Sequence, residues 1–464
     1  MKKEIGIIGL GVMGCALARN FGRNGISLAL YNRHLSGSEE KVALRAIQEH
    51  PELKEAKGFE EVKEFVEALE RPRKIILMVT AGEAVDHLLS SLSGLLHPGD
   101  LIIDGGNSDF KSTEKRLNTL IDSEILFLGL GVSGGEEGAL NGPSLMAGGS
   151  REAYELAQPY LSRIAAITPS TNKALAYFGS GGSGHFVKMV HNAIEYAEMQ
   201  LIAEAYLFLR NVLGMKTDEI GAVFDAWKAS HSKSYLLEIT SEILQTKDEH
   251  GFVLDRIAPI ASYNQTGASA LIEGALSGQT LSMVASALFT RFISNQKPPQ
   301  AEVSSLKRTH SKTISIETLH KAYAFARIVN HYQHFSMINA SAYHYRWDIK
   351  PNDLCEVWSA GCIIRSSLLE RLAQAKTAET PLFFNSEIQS ELSTSKEELK
   401  AVLNAAYQSD IALPGLSNAL NYYLQLTADY PSAALVQAQR DYFGAHGVYF
   451  KEEANRLVHY PWKA

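Results

Sequence analysis

The chain has 464 residues, 45% hydrophobic and 20% charged, enough for two or three domains with buried cores. A formal net charge of −7 argues against general binding to nucleic acid. Three cysteines, Cys15, Cys355 and Cys362, form neither a CxxC pair nor an even framework, which predicts a reduced, cytoplasmic setting.

Lys2 and Lys3 precede an apolar run that ends at Cys15 and imitates a lipoprotein signal. Glu4 follows the lysines directly and three glycines interrupt the run, so a strand and a glycine turn account for these residues better. No other stretch reads as a membrane span, and a soluble protein is expected.

Residues 4–8 read as a buried strand, and Gly9-Leu10-Gly11-Val12-Met13-Gly14 follows as GxGxxG. Residues 12–24 read as a helix closed by Gly25, and residues 26–31 as a second strand. Glycines placed between a strand and a helix let backbone N–H groups and the helix N-terminus approach a pyrophosphate. A tight turn without a ligand is the plainer alternative. The second strand ends in Asn32-Arg33-His34, without the Asp or Glu that usually binds the ribose 2′-hydroxyl of NAD. A guanidinium where a 2′-phosphate would lie favours NADP. His34 either adds a hydrogen bond or is incidental.

Residues 75–79 form the next predicted strand, followed by Thr80-Ala81-Gly82 and a helix over 83–92. Another strand, 101–104, ends in Gly105-Gly106-Asn107-Ser108. A further strand, 126–130, leads into a glycine-rich loop, GVSGGEEG, at 131–138. Ligands of open α/β sheets lie at the carboxyl ends of the strands. Asn107 and Ser133-Gly134-Gly135 are therefore expected to face cofactor and substrate, although such loops are often only turns.

From about residue 182 the pattern becomes helical, with 3.6-residue periodicity over 185–213, 233–244, 316–345 and 354–374. In the first of these, Lys188, His191, Asn192 and Glu195 stand at i, i+3, i+4 and i+7 on one face. Phe186, Val187, Met189, Val190 and Ile194 surround them with apolar side chains. An amine, an imidazole, an amide and a carboxylate on a rigid rod suit proton transfer to an oxygen-rich substrate. A buried ion-pair network that locks helix to helix is the bland alternative. Val223-Phe224 and Leu236-Leu237-Glu238 recur at similar spacing as Val357-Trp358 and Leu368-Leu369-Glu370, a hint of a duplicated helical unit. Near the end, LVQAQRDYFGAH at 435–446 carries two candidate anion ligands, Arg440 and His446. Beyond it there is no clear core element. Such a tail is either a frayed terminus or docks on something, such as a second subunit.

The expected architecture is an α/β Rossmann-type N-terminal domain (1–181), a large all-α domain (182–434) and an extended C-terminal tail (435–464) on a partner subunit. Along nearly its whole length the chain resembles the family of decarboxylating 6-phosphogluconate dehydrogenases. The resemblance rests on GLGVMG at 9–14, Asn32-Arg33, IIDGGNS at 102–108, GVSGGEEGA at 131–139 and GPSLM at 142–146. It continues with GHFVKMVHN at 184–192, IEY at 194–196, GCIIR at 361–365 and QAQRDYFGAH at 437–446.

The resemblance implies oxidative decarboxylation of 6-phosphogluconate to ribulose 5-phosphate with reduction of NADP and no metal. Lys188 matches the general base and Glu195 the general acid, with His191 and Asn192 completing the catalytic group. Gly9, Leu10, Gly11, Val12, Met13, Gly14, Asn32, Arg33, His34, Val79, Thr80, Ala81 and Asn107 match the cofactor site. Asn107, Ser133, Gly134, Gly135, His191 and Asn192 match the carboxylate and hydroxyl end of the substrate, and Tyr196, Thr266 and Arg291 its phosphate end. Arg440 and His446 match residues supplied by the other subunit of a homodimer. Three departures stand out. Lysines common in the family are here Thr80, Asn264 and Ala268, and glycines of the catalytic helix are Ala193 and Ala197. The missing lysine at 264 leaves open a related sugar acid as substrate, or a non-catalytic NADP-binding paralogue.

Overall fold

The computed structural model describes residues 1–296, 314–374, 386–429 and 431–462. Eight strands form one sheet: β1 (Ile5–Ile8), β2 (Leu28–Tyr31), β3 (Lys57–Phe59), β4 (Lys74–Leu77), β5 (Leu101–Asp104), β6 (Leu126–Ser133), β7 (Ser144–Gly149) and β8 (Leu175–Tyr177). Their order is β3-β2-β1-β4-β5-β6-β7-β8. Every pair is parallel except β6 with β7. Helices α1 (Val12–Arg23), α2 (Val42–Glu49), α3 (Val62–Glu67), α4 (Glu83–Ser93), α5 (Phe110–Leu120), α6 (Gly135–Asn141) and α7 (Arg151–Ile164) lie between the strands. The central strands β1, β4 and β5 are buried along their whole length, as continuous apolar runs covered on both faces should be. The order reverses at β1 and β4, the place where doubly wound sheets open a crevice for a nucleotide.

The helical part comprises α8 (Ser183–Asn211), α9 (Thr217–Lys228), α10 (Tyr235–Gln245), α11 (Gln265–Leu276), α12 (Ser282–Gln296), α13 (Ile316–Tyr345), α14 (Pro351–Trp358), α15 (Ser367–Gln374), α16 (Ser386–Gln408) and α17 (Pro414–Thr427). The hairpin of β9 (Lys247–Asp248) and β10 (Gly251–Phe252) follows α10. A single large core runs from α8 through α13 to α17, with the Arg327–Glu198 ion pair buried inside it at 3.0 Å.

Four glycines let α8 lie directly on the sheet. A methyl group at Gly131 of β6 would stand 2.5 Å from Cβ of Lys188, and one at Gly129 would stand 2.9 Å from Nδ1 of His185. A methyl at Gly184 of α8 would meet the Gly129 carbonyl at 2.5 Å, and one at Gly148 of β7 would collide with the Gly184 backbone. This corrects the loop expected from residue 131 onward. β6 runs on to Ser133, because Gly129 and Gly131 serve close helix packing rather than a turn.

A second correction concerns residues 354–374, expected as one helix. The chain breaks between α14 and α15 at Gly361, where a φ of +66° favours glycine and a methyl group would collide with the Gly142 carbonyl; its own carbonyl accepts from the Ser144 N–H at 3.1 Å. The repeated sequence pairs fall in two matching helix pairs, α9–α10 and α14–α15. These join through a reciprocal bridge: the Tyr235 N–H donates to Arg365 and the Ser367 N–H to Lys233, at 3.1 and 3.0 Å.

The tail carries α18 (Ser432–Gly444), β11 (Val448–Tyr449) and β12 (Leu457–Val458), more structure than its sequence led one to expect. Asp441 organises it. This buried carboxylate accepts from the Gly447 and Tyr460 N–H groups, the Trp462 indole and His459, all at 2.7–2.9 Å. Leu435, Val436, Tyr442 and Phe443 face outward, exposed. The last two residues of the expected tail, 463 and 464, lie outside the described residues.

Candidate active site

A cavity of about 210 Å³ opens where the sheet meets α8. Ala81 and Gly82 after β4, Asn107, Ser108 and Asp109 after β5, His185, Lys188, Met189 and Asn192 on α8, and Gln265, Thr266 and Ser269 on α11 line it. Two of the four polar residues on the α8 face, Lys188 and Asn192, thus meet Ala81, Asn107 and Thr266, which come from three other segments.

Lys188, His191 and Asn192 of the α8 stripe are buried and Glu195 is partly so, and burial shifts the protonation of its titratable groups. Lys188 is 7% exposed. Burial pulls its amine below the ordinary lysine range, against the opposing pull of Glu195. Burial likewise lifts the Glu195 carboxyl above its ordinary range, against Lys188 and Arg291. His191 is fully buried and held well below its usual range by burial and by the Lys188 charge. Its Nδ1 lies 3.1 Å from Oδ1 of Asn192 and its Nε2 3.0 Å from Oγ of Ser133. A neutral ring satisfies both contacts, with Nδ1–H donating to the amide oxygen and Nε2 accepting from the hydroxyl. The Asn192 amino group is left to face the cavity. An amine and a carboxyl on one helical face, each pushed by burial toward its neutral form, form the arrangement of a base and an acid working in turn.

The N-terminal loop places Gly9, Gly11 and Gly14 between β1 and the first turns of α1. Gly9 has φ +92°, and a methyl there would stand 2.5 Å from the Met78 carbonyl. Gly14 packs against the Gly9 backbone, whereas Gly11 faces open space. The first turn of α1, with Val12 and Met13, has no acidic residue and no side-chain cap, so its N–H groups are available to an anion. Oδ1 of Asn32 accepts from the Leu10 N–H at 3.0 Å and thereby holds the loop to β2. Arg33 is paired with Glu39 at 2.8 Å and His34 with Glu60 at 3.0 Å. Val79, Thr80 and Ala81 follow β4, with Thr80 exposed.

At the far end, Arg291 stacks on the Tyr196 ring at 3.8 Å. Asn264 caps α11 by accepting from the Thr266 N–H at 3.2 Å. Its Oδ1 also accepts from the Tyr196 hydroxyl at 2.9 Å and the Thr266 hydroxyl at 2.5 Å. The residue read only as a missing lysine therefore ties two expected substrate ligands together. Ser133 and Gly134 are buried beneath α8. The φ of Gly134 is +131°, and a methyl there would stand 2.5 Å from the Gly361 carbonyl. Gly135, φ +63°, opens α6. Arg440 and His446, both exposed on the tail, are not among the residues lining the cavity of their own chain. His185 and Gln265 were missed by sequence reasoning, although His185 at i−3 continues the Lys188 stripe. Among the described residues no cluster of His, Cys, Asp and Glu suits a metal, and no helix is long and apolar enough to cross a membrane.

Comparison with known proteins gives the same picture over the whole chain. Residues 4–179 match the model of the NAD binding domain of 6-phosphogluconate dehydrogenase, and residues 184–462 that of the enzyme's C-terminal domain. The decarboxylating 6-phosphogluconate dehydrogenase of Lactococcus lactis is 39% identical, over 99% of this chain and 98% of the relative. The NADP(+)-dependent, decarboxylating enzyme of Bacillus subtilis is 38% identical over 99% of each chain. The solved Plasmodium falciparum 6-phosphogluconate dehydrogenase, described in its apo form and in complexes with its cofactor NADP+ and its substrate 6-phosphogluconate, superimposes with a TM-score of 0.92. It is 31% identical, covering 99% of this chain and 100% of its own. The chain belongs to the 6-phosphogluconate dehydrogenase family.

Proposed function

We propose that this chain converts 6-phospho-D-gluconate to D-ribulose 5-phosphate and CO2 with reduction of NADP, as an enzyme of the pentose phosphate route. The observation that carries this reading is the pair Lys188 and Glu195, displaced toward neutrality from opposite sides on one helical face. Lys188, as the neutral amine, takes the proton of the C3 hydroxyl. NADP, when bound at residues 9–14 and Asn32-Arg33, supplies the acceptor for the C3 hydride. Loss of CO2 from the 3-keto acid leaves an enediol, whose oxygen the protonated Lys188 stabilises. Glu195 then delivers its proton to C1. Neutral His191, Asn192, Ser133, Gly134, Gly135 and Asn107 orient the carboxylate and hydroxyls. Purified protein mixed with NADP and 6-phosphogluconate should produce NADPH absorbance and CO2 together. Turnover only with other 3-hydroxy acids would replace the substrate, and cofactor binding without any turnover would make the chain a sensor.

For the cofactor, Arg33 meets the 2′-phosphate only after releasing Glu39. A charge-assisted contact changes affinity by ~10–100-fold, and the competition with Glu39 places the effect at the lower end. Arg33→Ala should therefore weaken NADP binding about 10-fold and leave NAD binding unchanged. Equal affinities for both cofactors in the unaltered protein would remove this reading of Arg33.

Tyr196, Thr266 and Arg291 hold the phosphate end, with Arg291 supplying the charge. Asn264→Lys adds a cation but breaks the cap and its two hydroxyl contacts. Its expected result is a KM for 6-phosphogluconate lower by about 10-fold, together with a stability loss of about 1 kcal/mol from the cap. An unchanged KM would mean that another group already serves the phosphate.

The same reading includes a cytoplasmic homodimer in which Arg440 and His446 reach across to the other subunit's phosphate end. The division into 1–181, 182–434 and 435–464 follows from it. Exposed Ile272 and Leu276 on α11, Phe289 and Ile293 on α12, and the outward face of α18 support an apolar interface of this kind.

A further inference from the structure

On the dehydrogenase reading above, we propose that Arg116 is a positioning residue that fixes the gap between the cofactor and Lys188 by clamping two loops together. Arg116 lies on α5, 5% exposed, and is not among the residues lining the cavity. Its Nη2 donates to the Gly82 carbonyl at 3.0 Å and its Nε to Asp86 at 2.7 Å, both at the start of α4. On the other side, its Nη1 donates to Oγ of Ser108 at 3.2 Å and sits 3.5 Å from Oδ2 of Asp104. One planar fork thus spans the loops that follow the adjacent strands β4 and β5. A lysine, with a single nitrogen, has no such reach.

Asp104 extends the clamp to the catalytic helix. Fully buried at the end of β5, it accepts from the Gly106 N–H at 3.1 Å and from the Ser108 hydroxyl at 2.7 Å. Its backbone carbonyl lies 3.0 Å from Nε2 of His185. A carbonyl only accepts, so Nε2 carries the hydrogen, and Nδ1 accepts from the Thr113 hydroxyl at 2.7 Å. Burial holds His185 below its ordinary range, which keeps the ring neutral in this role. His185 stands one turn before Lys188. Gly82, Ser108, His185 and Lys188 all line the cavity; Arg116 joins the first two directly and His185 through Asp104, and α8 carries the link on to Lys188.

The test compares Arg116→Lys and Arg116→Ala, the latter with and without added methylguanidinium. It reads kcat, KM for NADP and the dissociation constant of 2′,5′-ADP, a fragment without the nicotinamide half. Small misplacements at a reacting centre cost up to ~100-fold in rate. We expect kcat to fall at least ~10-fold in Arg116→Lys while 2′,5′-ADP affinity stays constant, and methylguanidinium to restore part of the activity of Arg116→Ala. Should the alanine variant fail to fold, Arg116→Lys and Ser108→Ala keep the question open to measurement, the latter with a smaller fall in kcat at unchanged melting temperature. Arg116→Lys with unaltered kcat and KM but a lower melting temperature would reduce Arg116 to a core ion pair and overturn the proposal. Lack of turnover in the unaltered protein would instead remove the underlying activity, so the two failures are separable.

Discussion

Lys188→Met is expected to lower kcat by about 1,000-fold, within the range that a positioned proton-transfer group supplies, without weakening NADP binding. Methionine copies the length of the buried stem and discards the charge. Burial works against the charged form of Lys188, so its removal relieves a desolvated amine. The melting temperature should hold or rise while activity disappears. A structural ion-pair network would respond in the opposite sense, because losing one partner strands the other. The pH profile offers a second reading. The amine acts only when neutral, so activity grows as pH climbs through its value, which burial has brought below the lysine range. The Glu195 carboxyl, raised by burial, donates only while protonated, so activity falls once pH passes its value. Because the two groups interact, the two limbs belong to the pair, and Glu195→Gln should flatten the alkaline one. Retention of a tenth or more of the activity in Lys188→Met would sink the assignment.

Asp441→Ala is expected to abolish the dimer and to cut kcat/KM about 100-fold, the order of two lost charge-assisted contacts. Alanine leaves the donors at Gly447, Tyr460 and Trp462 without their common acceptor. Besides these bonds, the Gln437 amide on α18 donates to the Gly447 carbonyl at 2.6 Å, a further tie to the loop that leads into β11. Arg440 and His446 immediately precede Asp441 and Gly447, two members of this knot, so neither would be presented to the other subunit. Hydrogen bonds from these donors hold the Asp441 carboxyl well below the ordinary aspartate range. Its contribution is therefore complete above that range and is lost only as pH falls through the depressed native value. Size exclusion and amide exchange in the tail report the change directly. A fully active dimeric Asp441→Ala would remove the tail from the site.

The N-terminal unit proposed to hold the nucleotide was readable because it is local: a strand, three glycines and a helix within twenty residues. The Lys188 stripe was readable for the same reason, since helical spacing alone aligns it. Gly129 and Gly131 misled because a glycine that admits a neighbouring helix is indistinguishable in sequence from one that makes a turn. The break between α14 and α15 depends on Gly361 meeting segments more than two hundred residues away. Asn264 carried a legible signal, an amide just before a helix, which the comparison with lysine obscured. Arg116 gave none, because a basic residue on a polar helix ordinarily faces water.

The contact of α8 with Gly129, Gly131 and Gly148 has a consequence for how ligands enter. Backbone laid against backbone leaves no hinge, so the rod that carries the amine is welded to the nucleotide-binding half. Domain rotation of the kind that opens many two-domain enzymes would tear this seam apart. A dinucleotide and a sugar acid therefore meet a site whose sheet and amine-bearing helix move as one body.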